Sequence, residues 1–321
     1  MRAKAKPSIV LRAGLVAGIL AFAASAAAAD WVEPTFNPPV GSRWIIQRDL
    51  AEQTDDNGTL SASTLKITSL LTIEAKTADG FRVTYARTAS SYEGDPEDAA
   101  TSRPVLAALQ GLVYRVVTDA AGKPLRVENL DEVIATQKKM VEALAAAGKD
   151  PQIQAAIVKS LGDMAGVDAA RAAELYLDEL PNLAVGQNTG LKIGEVRRSA
   201  PTQHNMFGLS AFLKTTTLSI ASVDAASGEV HLTLDEITDP DSMRAMLVGL
   251  YEKTRDSDPA EADRNINQVK SMALSQETRT EFDVVDGMTR RTRSLSTTSR
   301  DLAGNKFVDT TRTSVSVSPA P

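Results

Sequence analysis

The chain has no cysteine, only two histidines in 321 residues, and 4% aromatic side chains. Without cysteine there is no disulfide to staple the fold and no thiolate nucleophile, so the core must hold itself together. Few aromatics means few ring faces for stacking, which argues against a carbohydrate platform and leaves a core of Leu, Val, Ile and Ala. A basic surplus is missing as well, the formal charge being −6. An acidic chain lacks the counterion-release drive toward nucleic acid or an anionic membrane surface. No Gly-x-Ser-x-Gly elbow, lysine-bearing phosphate loop or dinucleotide glycine fingerprint is present, which disfavours nucleophilic hydrolysis and nucleotide chemistry.

What is there begins with an export signal. Arg2, Lys4, Lys6 and Arg12 form a positive head, Ala13 to Ala24 an uninterrupted apolar or glycine stretch, and Ala27 and Ala29 the small residues of a cleavage site before Asp30. The apolar stretch is too short to span a bilayer. Residues 1–29 are therefore expected to be a signal peptide and the mature protein periplasmic or secreted, not membrane-spanning after cleavage. Twin arginines are absent, which favours the general secretory route. Removing the four basic residues of this segment takes the formal charge from −6 to −10.

The mature chain is organised around a module that occurs twice. Leu65 to Gly80 (LKITSLLTIEAKTADG) is followed by FRVTY; Leu213 to Gly228 (LKTTTLSIASVDAASG) is followed, after Glu229, by VHLTL. Both stretches start Leu-Lys, match Thr68 with Thr216, and reach the turn glycine without a gap. Each reads as a β-hairpin of Thr- and Ile/Leu-rich strands, and the shared spacing points to an internal duplication.

Around these hairpins the chain divides into a first β half (30–129), a helical insert (130–183) and a second β half (184–321) with a helical excursion at 240–270. Asp55-Asp56-Asn57-Gly58 predicts a tight hairpin turn. Glu93 to Arg103 reads as an acidic loop, with Pro96 and Pro104 barring a continuous strand. Leu112 to Val117 and Leu125 to Val127 continue an antiparallel meander. Asn129 with Glu132 suggests a capping box, and apolar residues at helical spacing predict helices from Leu130, from Pro151 and from Asp168, the last stopped by Pro181. Leu191 to Arg197 resumes extended structure. Asp239-Pro240 and Pro259 start two further helices, the second carrying Ile266 and Val269. From Leu274 three strands follow, with turns at Asp286-Gly287 and Gly304-Asn305. The first of these turns sets Val285 against Met288 and Asp283 against Arg290. Arg290, Arg291, Arg293 and Arg300 read as a solvated strand face balanced by Glu277, Glu281 and Asp283, or as a patch for an acidic headgroup or partner.

The chemistry-bearing residues are sparse. His231 alternates with Val230 and Leu232 and should point away from their side of the sheet, a half-exposed histidine without a role; His204 lies in a polar loop. Two distant histidines give no zinc spacing. The acidic groups Asp256, Asp258, Asp263 and Asp55-Asp56-Asn57 lack calcium-loop spacing and read as caps and turns. No catalytic residue, metal or cofactor is expected.

Leu109 to Asp131 (LQGLVYRVVTDAAGKPLRVENLD), with the glycine–aromatic strand at Gly41 to Trp44 and Leu180-Pro181 before Val185-Gly186, resembles a widespread family of uncharacterised bacterial exported proteins rich in β structure. Its motifs are turn and packing residues, so it implies architecture and no catalytic residue. A looser likeness, of element order alone, is to periplasmic lipoprotein carriers and mycobacterial lipid carriers, in which a curved antiparallel sheet wraps helices around an apolar cavity. The expectation is an α+β protein, mainly antiparallel β, with a curved sheet or sheets from two related halves and the helical insert packed on them. The expected function is non-enzymatic binding of a lipid-like or amphipathic small molecule between sheet and helices. The helical-face candidates are Val133, Ile134, Val141, Leu144, Ile157 and Leu161. The alternatives are an envelope protein that binds a protein partner through its sheet edges and, last, a hydrolase using two carboxylates.

Overall fold

In a computed structural model of the chain, the described residues run from 35 to 147 and from 168 to 321, apart from 178–179, 186, 188–189, 205–210, 225–226, 256–258 and 303. The signal segment and the helix expected from Pro151 lie outside them.

The strands β1 (Arg43–Asp56), β2 (Thr59–Lys76), β3 (Gly80–Glu93), β4 (Val113–Asp119), β5 (Pro124–Val127), β6 (Val196–Arg198), β7 (Thr202–His204), β8 (Phe212–Val223), β9 (Val230–Thr238), β10 (Ala273–Val285), β11 (Met288–Leu302) and β12 (Asn305–Pro319) form one antiparallel sheet. Its order is β5-β4-β3-β2-β1-β12-β11-β10-β9-β8-β6, with β7 also on β8. Both β halves thus share a single sheet, joined where β12 lies between β1 and β11. The runs of Thr, Ser, Val and Ile at period two suit a pleated surface with one buried face, and the burial patterns alternate accordingly. Bulges at Thr68/Ser69, Ile73/Ala75, Ile220/Ser222 and Asp283/Val284 add local twist to the longest strands.

The two similar stretches become the hairpins β2–β3 and β8–β9, six places apart in the sheet and running in the same sense. Each is followed by helix and then by a strand that pairs with its second arm. The acidic stretch after β3 is the first of these helices and not a loop: α1 spans Pro96–Leu109. Proline at the first helical position costs no hydrogen bond, and the acidic Asp98 suits a helix N-terminus. After β9 come α4 (Pro240–Thr254), capped by the Asp239 side chain accepting from Ser242 N–H at 2.7 Å, and α5 (Pro259–Ser271), which buries Ile266 and Val269.

The insert contributes α2 (Leu130–Ala147), α3 (Ala169–Tyr176) and a 3-10 turn at Leu180–Ala184. Asn129 does more than begin α2. Its side-chain oxygen accepts from Arg115 N–H at 2.8 Å and its amide donates to the Val113 carbonyl at 2.9 Å, tying the helix start to β4. The third insert helix ends at Tyr176, before the expected proline stop, and Pro181 sits inside the 3-10 turn. The buried residues Ala172, Ala173, Leu177, Leu180 and Leu183 join the sheet residues Trp44, Ile46, Leu71, Val83, Tyr114, Val116 and Val317 in the larger core cluster. Leu191, Leu218, Ile220, Val230, Leu232, Phe282 and Val284 form a second cluster. Both clusters lie toward the end of the sheet marked by the Asp286–Gly287 turn, and α4 packs on β8 and β10 toward the other.

Two turns show why the sequence reading located the hairpins. Asn57–Gly58 and Asp286–Gly287 have positive φ at both positions, as a two-residue turn matching strand twist requires. The bulge after Asp283 nevertheless corrects the expected register: Val285 opposes Met288, but Asp283 opposes Arg291, and Arg290 is the extra residue. Displaced from the ladder, Arg290 lies over the Trp44 ring at 4.2 Å.

Candidate binding surface

The face of the sheet that carries the core clusters, here the inner face, changes chemistry along the strands. Reading across in register, one row is Ile220, Leu232, Phe282, Thr292, Val315, Arg48 and Ile67. The next is Leu218, Leu234, Thr280, Ser294, Thr313, Leu50 and Leu65, and the one beyond is Thr216, Glu236, Thr278, Ser296, Thr311, Glu52 and Ser63. Hydrophobic side chains thus give way to hydroxyls and carboxylates within about 14 Å, two residue pairs of strand rise. Hydroxyl groups bridge neighbouring strands: Thr280 donates to Ser294 at 3.0 Å and Thr278 to Ser296 at 2.9 Å. Leu50, Leu65, Leu234, Thr313 and Ser296 are half-buried, so mid-strand the inner face remains partly open to solvent.

Charge collects at the polar end. Lys214 and Glu236, on β8 and β9, form a buried pair 3.7 Å apart, and Lys214 Nζ lies 5.8 Å from the centre of the Phe212 ring. His204, on β7, is beside them: its Nε2 is 3.1 Å from Thr202 Oγ1 and its ring 6.0 Å from that of Phe212. Burial and the nearby Lys214 ammonium hold the His204 imidazole below its ordinary pKa, while Glu236 works the other way. Further along the polar end Arg300 donates to Asp309 at 2.6 Å, Thr54 donates to the same carboxylate at 2.8 Å, and Arg300 Nε is buried without a partner among the described residues. Arg300 therefore belongs to the inner face, apart from Arg291 and Arg293 on the outer one. Outside, Arg291 pairs with Asp283 at 3.6 Å, and Arg279 with Asp235 and Glu281 at 3.6 Å each, a balanced solvated face.

The helical-face candidates fare unequally. Val133 is fully buried in the larger core cluster, and Ile134 is half-buried next to it. Val141 and Leu144 lie on α2, with side chains outside the described set, as are Ile157 and Leu161 altogether. The insert also borders an open cleft of about 270 Å³ lined by Leu112, Val113, Asn129, Glu132, Val133 and Thr136; another, of about 510 Å³, lies between α4 and α5. His231 points to the outer face as its alternation requires, yet it has a partner: Nδ1 is 2.8 Å from Asp283 Oδ1. Among the acidic groups weighed as caps, Asp55 accepts from Gly58 N–H at 2.7 Å and Asp263 from Arg255 at 2.6 Å; Asp256 and Asp258 lie outside the described residues.

Sequence reasoning missed the inner-face gradient and the Lys214–Glu236 pair. The alternation of β8 (Phe-x-Lys-x-Thr-x-Leu-x-Ile) carried the signal, since it puts a lysine in the buried phase.

Comparison with known proteins gives distant likenesses. No family model and no curated protein matches the chain. Among solved structures, one concerning lipid–protein interactions in lipovitellin aligns at a TM-score of 0.40 and 9% identity, covering 88% of this chain and 26% of that one. The chain thus spans about a quarter of lipovitellin's length. An outer membrane channel from Pseudomonas putida F1 aligns at 0.18 and 11% identity over 90% of this chain and all of that one. The MucA/MucB complex of Pseudomonas aeruginosa aligns at 0.15 and 9% identity, over 86% and 94%. No helix among the described residues is long and apolar enough to cross a membrane.

Proposed function

We propose that the protein is a non-enzymatic binding protein of the bacterial envelope that holds an amphipathic, lipid-like small molecule on the inner face of its sheet. The observation that carries this reading is the change along the strands from a row with leucine pairs at its two ends, Leu218–Leu234 and Leu50–Leu65, to the row Glu236–Thr278–Ser296–Thr311, on a surface half-open at Leu234, Leu50, Leu65, Thr313 and Ser296. A molecule lying along the strands buries its chain against the half-exposed Leu50–Leu65 pair, at about 25 cal/mol per Å² of apolar surface removed from water, and leaves its polar end among hydroxyls. Arg300 Nε, a buried donor with no acceptor among the described residues, adds a place for an oxygen of that polar end. The periplasmic location follows from the leader reading and belongs to the same proposal.

The sheet edges lend less to the partner-binding alternative. One edge is β5, four residues opening with Pro124, and the other is β6, three residues carrying Arg197 and Arg198, with the three-residue β7 beside it on β8. Short, proline-bearing and basic edges are those that resist strand addition.

Organic extracts of the purified protein should contain an amphipathic molecule, and a fluorescent fatty-acid probe should bind saturably. Leu50→Asp and Leu65→Glu should each weaken that binding tenfold or more while the circular dichroism spectrum is kept. Clean extracts with no saturable probe binding would sink the reading, as would affinity unchanged in both variants.

We also infer that the two hairpin series are copies of one unit, from the shared Leu-Lys start, the Thr68/Thr216 match and the equivalent positions in the sheet. Sequences of close relatives should carry the pattern in both stretches; relatives that keep it in one alone would count against copying.

A further inference from the structure

We propose that Glu229, His231 and Asp283 bind a divalent transition-metal ion on the outer face of the sheet. Glu229 stands immediately before β9 and His231 is its second residue, so the two side chains, two positions apart, fall on the same face. Asp283 is the cross-strand partner of His231 on β10, with Nδ1 and Oδ1 2.8 Å apart. One ligand atom from each of the three lies within 4.8 Å of the other two, and all three residues are half-buried.

The scaffold beneath is firm. Val230 and Val284, which flank these residues in sequence, point inward and are 2% and 0% exposed in the second core cluster. The turn before β9 is closed by Gly228 N–H donating to the Asp224 carbonyl and Asp224 N–H to that of Glu229, both at 2.8 Å. Strand pairing holds the backbones of His231 and Asp283 opposite each other before an ion arrives, which lowers the ordering cost of binding.

One imidazole nitrogen and two carboxylate oxygens suit zinc or manganese. Zinc–nitrogen and zinc–oxygen bonds of about 2.0–2.1 Å in tetrahedral array set neighbouring ligand atoms roughly 3.3 Å apart. The His231–Asp283 contact must therefore open by about half an ångström, and Glu229, with the longest arm, closes in from the strand entrance. Water can complete the coordination, since all three residues are only half-buried. Arg291 Nη1, 3.6 Å from Asp283 Oδ2, engages the oxygen that the ion does not use. Such an outer contact orients a ligating carboxylate. Two carboxylates against this one guanidinium leave the cluster with one negative charge to meet a cation.

The test is calorimetric titration of the full, untagged chain, stripped with chelator, with zinc chloride. Saturable binding of one ion per chain is expected. His231→Ala and Asp283→Asn should each weaken it tenfold or more, with His231→Gln as a second variant should His231→Ala fail to fold. Asp263→Asn, on α5 and paired with Arg255, should leave binding unchanged. Unsaturable uptake, a loss smaller than tenfold in the site variants, or an equal loss in Asp263→Asn would overturn the assignment. The lipid-probe titration above is independent of all of these outcomes.

Discussion

Lys214 and Glu236 stand 3.7 Å apart across β8 and β9 with side chains 6% and 5% exposed. They are diagonal neighbours, since Thr216 opposes Glu236 and Lys214 opposes Thr238. A charge pair so far from water gains its Coulomb attraction at the cost of two desolvations, so its presence says little about net stability. Its removal by halves says more.

Glu236→Gln leaves the Lys214 charge stranded and should destabilise the protein by about 3–5 kcal/mol in urea unfolding. The double variant Lys214→Met/Glu236→Leu should lose much less than the sum of its single changes, because neither charge remains to be desolvated. Additive losses in that double-mutant cycle would mean that the two groups do not interact.

Stability should also fall on the acid side through His204. Its pKa is lowered in the folded state by burial and by Lys214, so below the ordinary imidazole value of about 6.5 the unfolded chain binds more protons than the folded one. Folding is thus penalised as pH drops through 6.5 toward the folded-state value, and the penalty vanishes above 6.5. His204→Asn should flatten this part of the stability–pH curve. A wild-type and variant difference that stays constant between pH 5 and 8 would contradict the argument.

Gly287→Ala should cost about 1–3 kcal/mol and lower the midpoint of thermal unfolding. The residue has φ +71°, and a Cβ there would run into the Thr35 carbonyl, which is backbone and cannot rotate aside. Gly58, at φ +90° with open space around it, should tolerate alanine better, paying for the dihedral alone. Equal losses at the two sites would remove the clash from the explanation.

Much of the architecture was legible because it rests on local rules. Asn57–Gly58 and Asp286–Gly287 announce two-residue turns, the period-two runs of β8 and β10 announce strands with one buried face, and Asp239-Pro240 announces a helix start. The acidic stretch after β3 misled because proline was weighed as a strand breaker and not as a first helical residue. The Asp283 register failed for a different reason: a bulge adds one residue to a strand, and its sequence cost is small enough that nothing in TEFDVVDGMTRR marks it. The site was less legible than the fold. His231 and Asp283 are 52 residues apart, and the inner-face gradient is a property of seven strands laid side by side. Alternation says which phase of a strand is buried, but not which strands are neighbours.

The place of β12 has a consequence for assembly. The strand between β1 and β11 comes after all the other described strands in sequence, so Ile46 meets Val317 only after those have been synthesised. Each half can form hairpins early, through turns of a few residues, yet the seam that unites them closes a loop of most of the polypeptide. Such late, distant pairing makes for slow folding and leaves two unsheltered strand margins, β1 and β11, in the interval.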